Sequence, residues 1–484
     1  MPQADTLKGG TRSILEFRQT GMPDSSKSLR RLFGASAGTI RINMTTISKS
    51  MKGALQRNYK WIMVGLLAVA YFFNQADRVL FGLLTIPIQD ELHLSDLEIG
   101  AINTALFATL ALFTPFTGPL GDRFSRKWII TFSVILWSLM TVITGFAGGF
   151  WSLMFFRSIA AGVGEACYGP SAVPLIAAHH VRTRSLALAI HQSAIYIGLM
   201  FSGAIVAVAL HLLGSWREVF VLFGGAGLLL GIAFVFVLKD VSGAETEVAS
   251  VRLSPVACIK AFFANRSALL LSAGFIAIVA VNNAYVSWAP KFASACFSLS
   301  VGDAGNGTMF YHNVAATIAI FVGGAASDRI AVRRPRGRLV IQILALLFGA
   351  PALMMFGYAP SVGMMWTAVA AYGLFRGLFE SNTYSSVFEV VPPEYRSTTS
   401  ALMGTLAFSI GSLSPLFIGW LAETSKTSED PMGIYGFRLG FILLGAFYVL
   451  GASVMLIACL RTFNRDREKC MNCAERRRVL YCLP

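Results

Sequence analysis

The chain has 484 residues, of which 55% are hydrophobic and 13% are charged, and its formal net charge is +15. Soluble domains carry roughly 25% charged residues, so this composition argues against a soluble protein and favours a chain embedded in a bilayer. The basic residues lie between apolar segments rather than on one folded face, so the net charge does not indicate a nucleic-acid-binding protein.

The predicted elements begin after a polar, basic leader at residues 1–60, which has no apolar core long enough for a secretory signal. We expect this leader to be a disordered cytoplasmic tail, and a start at Met44 or Met51 would remove residues 1–43 from the mature protein. From residue 61 onward, each apolar window is long enough to cross a bilayer as a helix. The windows cover 61–84, 98–120, 128–148, 151–178, 185–211, 217–238, 267–290, 306–327, 338–358, 363–390, 397–422 and 434–460. The sequence therefore predicts an all-α membrane protein with twelve transmembrane helices.

Polar stretches divide these windows into two groups. We predict an N-terminal six-helix bundle at 61–238, a cytoplasmic linker at 239–266, a C-terminal six-helix bundle at 267–460 and a basic cytoplasmic tail at 461–484. With both termini and the even-numbered loops in the cytoplasm, most of the 40 lysine and arginine residues lie inside, as the positive-inside rule requires. An odd number of spans would destroy this alternation.

Three short motifs occur in both groups, in the same order and on the same side of the membrane. The pairs are residues 118–123 with 324–329, 162–165 with 377–380, and 216–220 with 437–441. Three matches in register indicate a duplicated six-helix unit, and an even helix number gives both copies the same orientation. Such parallel repeats place a solute site near the membrane midplane, between the two halves.

The loop after the second span carries a family resemblance. The run Gly118-x-x-x-Asp122-Arg123-x-x-Arg126-Lys127 resembles the loop motif of the major facilitator superfamily, although Ser125 stands where the motif has a further glycine. The resemblance covers residues 61–460 and implies a cytoplasmic latch in which Asp122 pairs with a neighbouring helix end. The alternative for Arg126 and Lys127 is simple anchoring at the lipid headgroups. The gating residues that we predict are Asp122, Arg123, Arg126, Asp328, Arg329, Arg376 and Glu380; the last two can instead simply pair with each other at i,i+4.

Charged residues inside the spans are the strongest functional signal. A charge near the bilayer centre costs at least ~2.5–3.5 kcal/mol, so it should face a partner or a wet cavity. Asp77 and Arg78 are adjacent in the first span and cannot face the same way, while Arg157 and Glu165 lie in the fourth. Our hypothesis is that Arg78 binds an anionic group through its forked donors and that Asp77 or Glu165 carries a coupling proton. The alternative is a static ion pair that locks the two spans together.

These residues narrow the resemblance. The runs Asn74-x-x-Asp77-Arg78 and Gly164-Glu165-Ala166 resemble the anion:cation symporter and Spinster-like families. The first resemblance implies that Asp77 and Glu165 titrate and that Arg78 engages an organic anion; the second implies lysolipids or sphingoid phosphates as solutes. The sugar-acid carriers have amides where this chain has Ile195 and Phe408, which argues against a polyol substrate.

Further polar side chains lie within the spans and can line a cavity. We predict that substrate is bound by Arg78, Tyr168, His191, Gln192, Asn282, Asn283 and His312, and a helix break at the asparagine pair would suit a gate. The alternative for each histidine is a hydrogen-bonded packing residue.

The leading functional prediction is a monomeric secondary transporter that carries a small organic anion, such as a carboxylate or sugar acid, inward across the plasma membrane with protons. One alternative is export or flipping of an amphipathic lipid or drug-like solute, and another is a membrane sensor that has lost transport. We expect no enzyme activity, cofactor or nucleic-acid partner, since no nucleotide-binding loop stands out. Cys470 and Cys473 form a CxxC pair, but a zinc site needs two further ligands.

Overall fold

The structure is a computed structural model that describes residues 44–180, 183–240, 255–334, 336–392 and 395–481. Within these ranges the described side chains exclude 44–57, 118–119, 121–123, 185, 255–258, 397 and 473–481. Residues 1–43 of the predicted leader at 1–60, most of the predicted linker and the end of the tail therefore lie outside the described residues. Residues 44–60 of that leader form the first part of a helix rather than a disordered segment. The described residues belong to two units, with the boundary between Tyr59 and Lys60.

The described residues form helices joined by short loops. In the first half these are α1 Met44–Leu83, α2 Thr85–Leu92, α3 Asp96–Arg123, α4 Arg126–Thr144, α5 Phe150–Leu153, a π-helical turn Met154–Ala160, α6 Ala161–His179, α7 Arg184–Leu213 and α8 Trp216–Val237. In the second half they are α9 Pro255–Ala264, α10 Arg266–Phe297, α11 Val301–Arg333, α12 Gly337–Tyr358, α13 Val362–Glu380, α14 Thr383–Phe388, α15 Arg396–Gly411, α16 Ser414–Thr424, α17 Ile434–Ile457, a second π-helical turn Ala458–Thr462 and α18 Phe463–Tyr481.

Polar caps explain where several helices begin. Ser95 and Glu98 form a capping box at the start of α3, so both the side chain and the backbone of Ser95 are paired. Ser125, which departs from the family motif, accepts a hydrogen bond from the Trp128 amide and caps α4. The serine therefore has a local structural role in place of the expected glycine.

Ten helical segments among the described residues are long and apolar enough to cross a membrane. They coincide with all the predicted spans except the first and fourth, which are helical but are not among the ten. An all-helical membrane fold is thus confirmed, and the segments are consistent with twelve spans. The predicted break at Asn282 and Asn283 is wrong, because α10 runs through them without interruption.

Helices from the two halves meet along two seams. One seam packs α7 against α11, and the other packs α3 against α15 and α16. The backbones approach closely there, since a Cβ on Gly203 would collide with the backbone of Gly305, and one on Gly100 would lie 2.7 Å from the Pro415 carbonyl oxygen. Both approaches lie at the end of the bundle that the charge pattern predicts to be outside.

Candidate functional site

The centre of the candidate site is an ion pair between the first and fourth spans. Arg78, on α1, donates from Nε to Oε2 of Glu165, on α6, at 2.6 Å. The Arg78 side chain is 23% exposed, whereas the Glu165 side chain is completely buried. Glu165 Oε1 has no hydrogen-bond partner among the described residues. Arg78 therefore borders an accessible space, and its carboxylate partner lies behind it.

The neighbouring acid, Asp77, faces another way. Its Oδ2 lies 3.6 Å from Arg157 Nη1 and accepts a hydrogen bond from the Thr141 hydroxyl at 3.1 Å. Arg157 also donates to the backbone carbonyls of Asp77 and Arg78, at 2.8 and 3.2 Å. The two adjacent residues thus point apart, as a helix requires, and Asp77 is enclosed between α1, α4 and the fourth span.

Arg157 owes its position to irregular backbone. It lies in the π-helical turn Met154–Ala160, a wider turn that interrupts the fourth span just before α6. Such turns contain an extra residue, and they are frequent at functional sites. The turn lets Arg157 reach the Asp77 side of α1 while Glu165, eight residues further on, reaches Arg78.

A histidine and two tyrosines form an aromatic cluster beside this pair. The His191 ring stacks on Tyr71 at 4.6 Å between centroids, and its Nε2 lies 3.2 Å from the Tyr168 hydroxyl. Because that hydroxyl donates to the Leu67 carbonyl, it accepts from His191, which assigns the ring proton to Nε2. His191 and Tyr168 are both buried, whereas Gln192 is exposed. His191 and Tyr168 thus support the wall of the accessible space beside Arg78.

The second half contains a related arrangement. Arg376 Nη1 donates to His312 Nε2 at 2.8 Å, and Arg376 Nε donates to Glu380 Oε1 at 3.0 Å. Tyr196, on α7 of the first half, donates to the other oxygen of Glu380 at 3.3 Å. The Glu380 side chain is 21% exposed. The i,i+4 pair predicted from sequence therefore forms, and it also touches the opposite half.

Aromatic rings enclose the second histidine as well. Tyr285 and Tyr372 contact His312 with ring centroids at 4.9 and 4.7 Å, and they also contact each other at 5.1 Å, so the three rings form a triangle. Each half thus holds a cluster of one histidine and two tyrosines, close to an arginine–glutamate pair. Sequence inspection did not assign Tyr71 or Tyr196 to the site. A signal for Tyr71 exists, since it lies seven residues before Arg78 and therefore on the same face of α1.

The predicted asparagines are close to the site but are incompletely paired. Asn282 is partly exposed, and Asn283 is buried. Oδ1 of Asn282 and Nδ2 of Asn283 have no hydrogen-bond partner among the described residues. A buried amide without a partner is costly, so these groups are suited to receive a polar ligand.

The predicted gating residues lie mainly at the end of the bundle that the charge pattern predicts to be cytoplasmic. Asp328 pairs with Arg338, at the start of α12, at 2.7 Å, and Arg338 also binds Glu389 at 2.6 Å. Arg467, on the tail helix α18, approaches Glu389 at 3.3 Å. Arg329 is exposed on α11, and Arg126 is half-buried at the start of α4. The side chains of Asp122 and Arg123 lie outside the described residues, so their predicted latch stays a prediction.

No group of three histidine, cysteine, aspartate or glutamate residues that could hold a metal ion occurs within the described ranges. The described part of the CxxC pair is Cys470, which lies on α18, whereas the side chain of Cys473 falls outside.

Comparison with known proteins adds independent information. The family model described as Major Facilitator Superfamily matches residues 67–415. Protein spinster of Drosophila melanogaster is 26% identical over 75% of this chain, which spans 62% of that relative's length. Protein spinster homolog 1 of Rattus norvegicus is 28% identical over 86% of this chain and 83% of the relative. A probable L-galactonate transporter of Escherichia coli is 23% identical over 83% of this chain and 90% of its own.

A solved structure shares the fold. It is a bacterial homologue of the human lysosomal transporter Spinster, in an inward-facing and unoccupied conformation. The TM-score is 0.73 at 23% identity, and the match covers 84% of this chain and 98% of that one.

Proposed function

Because this chain belongs to the Major Facilitator Superfamily and is a multi-pass membrane transporter, we propose that it carries a small organic anion together with a proton. The observation that supports this proposal is the ion pair between Arg78 and Glu165, in which the cation is accessible and its partner is buried. The transporter class follows from the family, whereas the solute and the coupling ion are our proposals.

The charge balance of the site explains why a proton would travel with an anion. In the first half, Asp77 and Glu165 balance Arg78 and Arg157, so no positive charge is left over for a ligand. An anion that binds Arg78 competes with Glu165 for the charge of the guanidinium group, and an ionised Glu165 that lost its partner would be a buried, unpaired charge. Protonation of Glu165 removes that penalty. Anion binding and proton binding at this site would therefore favour each other.

Glu165 fits the coupling role better than Asp77. Asp77 keeps Arg157 and Thr141 as partners, and both lie away from the accessible space. Each acid has one oxygen without a hydrogen-bond partner among the described residues, but only Glu165 pairs with the partly exposed Arg78, so a ligand on Arg78 would displace Glu165 and leave it to accept a proton. We therefore assign the coupling proton to Glu165 and a helix-joining role to Asp77.

The polar wall would hold the rest of the solute. Asn282 offers an unpartnered carbonyl oxygen, and Gln192 is exposed on the neighbouring α7. Four buried side chains would hold these groups and the arginines in position and would not shift when the solute moves; they are Tyr168, His191, Asn283 and His312. The E. coli relative is described as a probable transporter of L-galactonate, an organic anion, which is in line with this class of solute.

We propose that the chain acts as a monomer in the plasma membrane. The distribution of basic residues supports an orientation with both termini in the cytoplasm. Asp328, Arg338 and Glu389 would control the cytoplasmic end, and Arg376 with Glu380 would respond at mid-depth through Tyr196.

The deciding experiment is uptake into proteoliposomes with an imposed pH gradient, screened over organic anions and lysolipids. Proton-driven accumulation of an anion that is lost in Arg78→Ala would support the proposal. Glu91→Gln is the matched control, because Glu91 pairs with Arg217 away from the accessible space beside Arg78. Anion uptake that survives Arg78→Ala would refute the assigned role, and gradient-independent movement of lysolipids alone would favour the exporter or flippase alternative.

A further inference from the structure

A second ion cluster lies at the outer seam, apart from the proposed solute site. Asp96, the first residue of α3, is completely buried and contacts Lys291 of α10 through Oδ1. Its Oδ2 lies 2.9 Å from Lys426 Nζ, in the loop after α16. The Asp96 amide donates to Glu423 Oε2 at 2.8 Å. One residue of the first half thus binds three charged residues of the second.

The buried lysine adds a further contact between the halves. Lys291 has a side chain that is 5% exposed, and it donates to Gln89 Oε1 of α2 at 2.6 Å. Its ammonium group also lies 5.8 and 5.7 Å from the ring centroids of Trp288 and Phe437. Two lysines balance Asp96 and Glu423, so the closed seam holds these charges without a net excess. Pulling the halves apart there would separate Asp96 from Lys291, Lys426 and Glu423, and Gln89 from Lys291.

The backbone is shaped for this contact. A Cβ on Gly419 of α16 would collide with the Asp96 carbonyl, so only glycine lets α16 come this close to the start of α3. About two turns further along α3, the Thr104 hydroxyl accepts from the Leu416 amide at 3.2 Å. The ion cluster therefore sits where the second seam is tightest.

We infer that Asp96, Lys291 and Lys426 form an outer latch that holds the two halves together and must open before the chamber can face outward. Asp96 is a positioning residue, since it lies at the seam rather than beside Arg78. The inference concerns the opening of the seam and does not depend on which solute or coupling ion is carried.

A cysteine reporter makes the latch testable without any solute. Leu83, at the end of α1, is 3% exposed and packs against Gly305 of the opposite half. In a full-length chain whose seven native cysteines are replaced by serine, Leu83→Cys would react with an impermeant maleimide added outside only when the seam opens. Asp96→Asn weakens the pairs with Lys291 and Lys426 together and should raise the labelling rate at least about tenfold, the factor that corresponds to one charge-assisted pair.

The nearby pair of Glu91 and Arg217 is the matched control. It lies on the same side of the membrane, but both residues belong to the first half. Lys426→Met is the second test variant, because its side chain is 30% exposed and its loss leaves Asp96 paired with Lys291. Faster labelling in Asp96→Asn or Lys426→Met, with Glu91→Gln unchanged, would support the latch. Unchanged labelling in both, or an equal rise in Glu91→Gln, would overturn it.

These outcomes separate the latch from the proposed transport of anions. The labelling needs neither a substrate nor a pH gradient. A chain that fails to accumulate any anion can still show the latch, and a chain without the latch can still bind an anion at Arg78.

Discussion

Replacing Glu165 with glutamine imitates the protonated state of the site. The amide keeps the shape of the carboxyl group but carries no charge, so Arg78 loses its ionic partner while the packing of α1 against α6 is preserved. We expect Glu165→Gln to bind the transported anion tightly at neutral pH and to lose accumulation driven by a pH gradient.

The size of the effect follows from the geometry of the pair. A hydrogen bond to a charged group contributes about 1.5–3 kcal/mol, and each 1.4 kcal/mol is a factor of ten in affinity. Arg78 is 23% exposed, so water weakens the pair and the lower end of this range applies. We therefore expect anion affinity at neutral pH to rise about tenfold in the variant.

The assay is anion binding to purified protein across a pH series, followed by uptake into proteoliposomes. In the native chain, affinity should fall as the pH rises, because an ionised Glu165 competes for Arg78. In Glu165→Gln the affinity should be independent of pH, while Glu91→Gln should behave like the native chain. If the Glu165→Gln variant still accumulates anion when a pH gradient is imposed, the idea that Glu165 competes with the anion for Arg78 is refuted.

Three further predictions concern stability and the tail. Asp77→Asn leaves the buried Arg157 without its counter-ion and should lower the free energy of unfolding by about 3 kcal/mol, as measured by thermal unfolding in detergent. The double variant Asp77→Asn/Arg157→Met should recover part of this loss, and equal stability of Asp77→Asn and the native chain would contradict the helix-joining role. The hydrogen bond from Arg217 lowers the pKa of Glu91 below its ordinary value of 4.5, so this exposed pair stabilises the fold fully at pH values above 4.5, and the contribution is lost as the pH falls through the lowered pKa. Glu91→Gln should therefore lower the melting temperature slightly at neutral pH, since exposed pairs contribute less than about 1 kcal/mol, and leave it unchanged at a pH below the lowered pKa of Glu91. A larger drop in melting temperature at that acidic pH than at neutral pH would contradict the predicted pH dependence. Glu389→Gln removes the negative charge that Arg338 and Arg467 share, and it should speed tryptic cleavage of α18 about fivefold. Cleavage at the native rate would show that other contacts hold the tail helix.

The sequence predicts most of the membrane fold because lipid restricts the choices. A span must be apolar, about 20 residues long and helical, and basic loops report its orientation. Composition, window length and repeated motifs therefore predict the helices and the likeness of the halves. The same periodicity predicts that Asp77 and Arg78 point apart.

The details of the site depend on information that the sequence does not display locally. The π-helical turn around Arg157 leaves no apolar or glycine signature, so its extra residue was not expected. The break expected in α10 does not occur, because the asparagine pair is accommodated within a regular helix. Tyr196 reaches Glu380 from another half of the molecule, a contact that depends on the packing of α7 against α11.

The outer cluster was overlooked for a different physical reason. Asp96 lies in a loop window with other acidic residues, where a solvated carboxylate is the ordinary expectation. Only the approach of α16 buries it against two lysines.

The wide turn at Met154–Ala160 makes the effect of a deletion in the fourth span depend on its position. Because the turn already absorbs an extra residue, removing one residue there would restore an ordinary α-helix and keep Glu165 opposite Arg78. Removing one residue from the regular helix between Ala161 and Glu165 would instead rotate Glu165 by about 100° relative to the residues before the deletion. Either segment would still be long enough to cross the bilayer, so two deletions of equal size should have opposite consequences for the ion pair with Arg78.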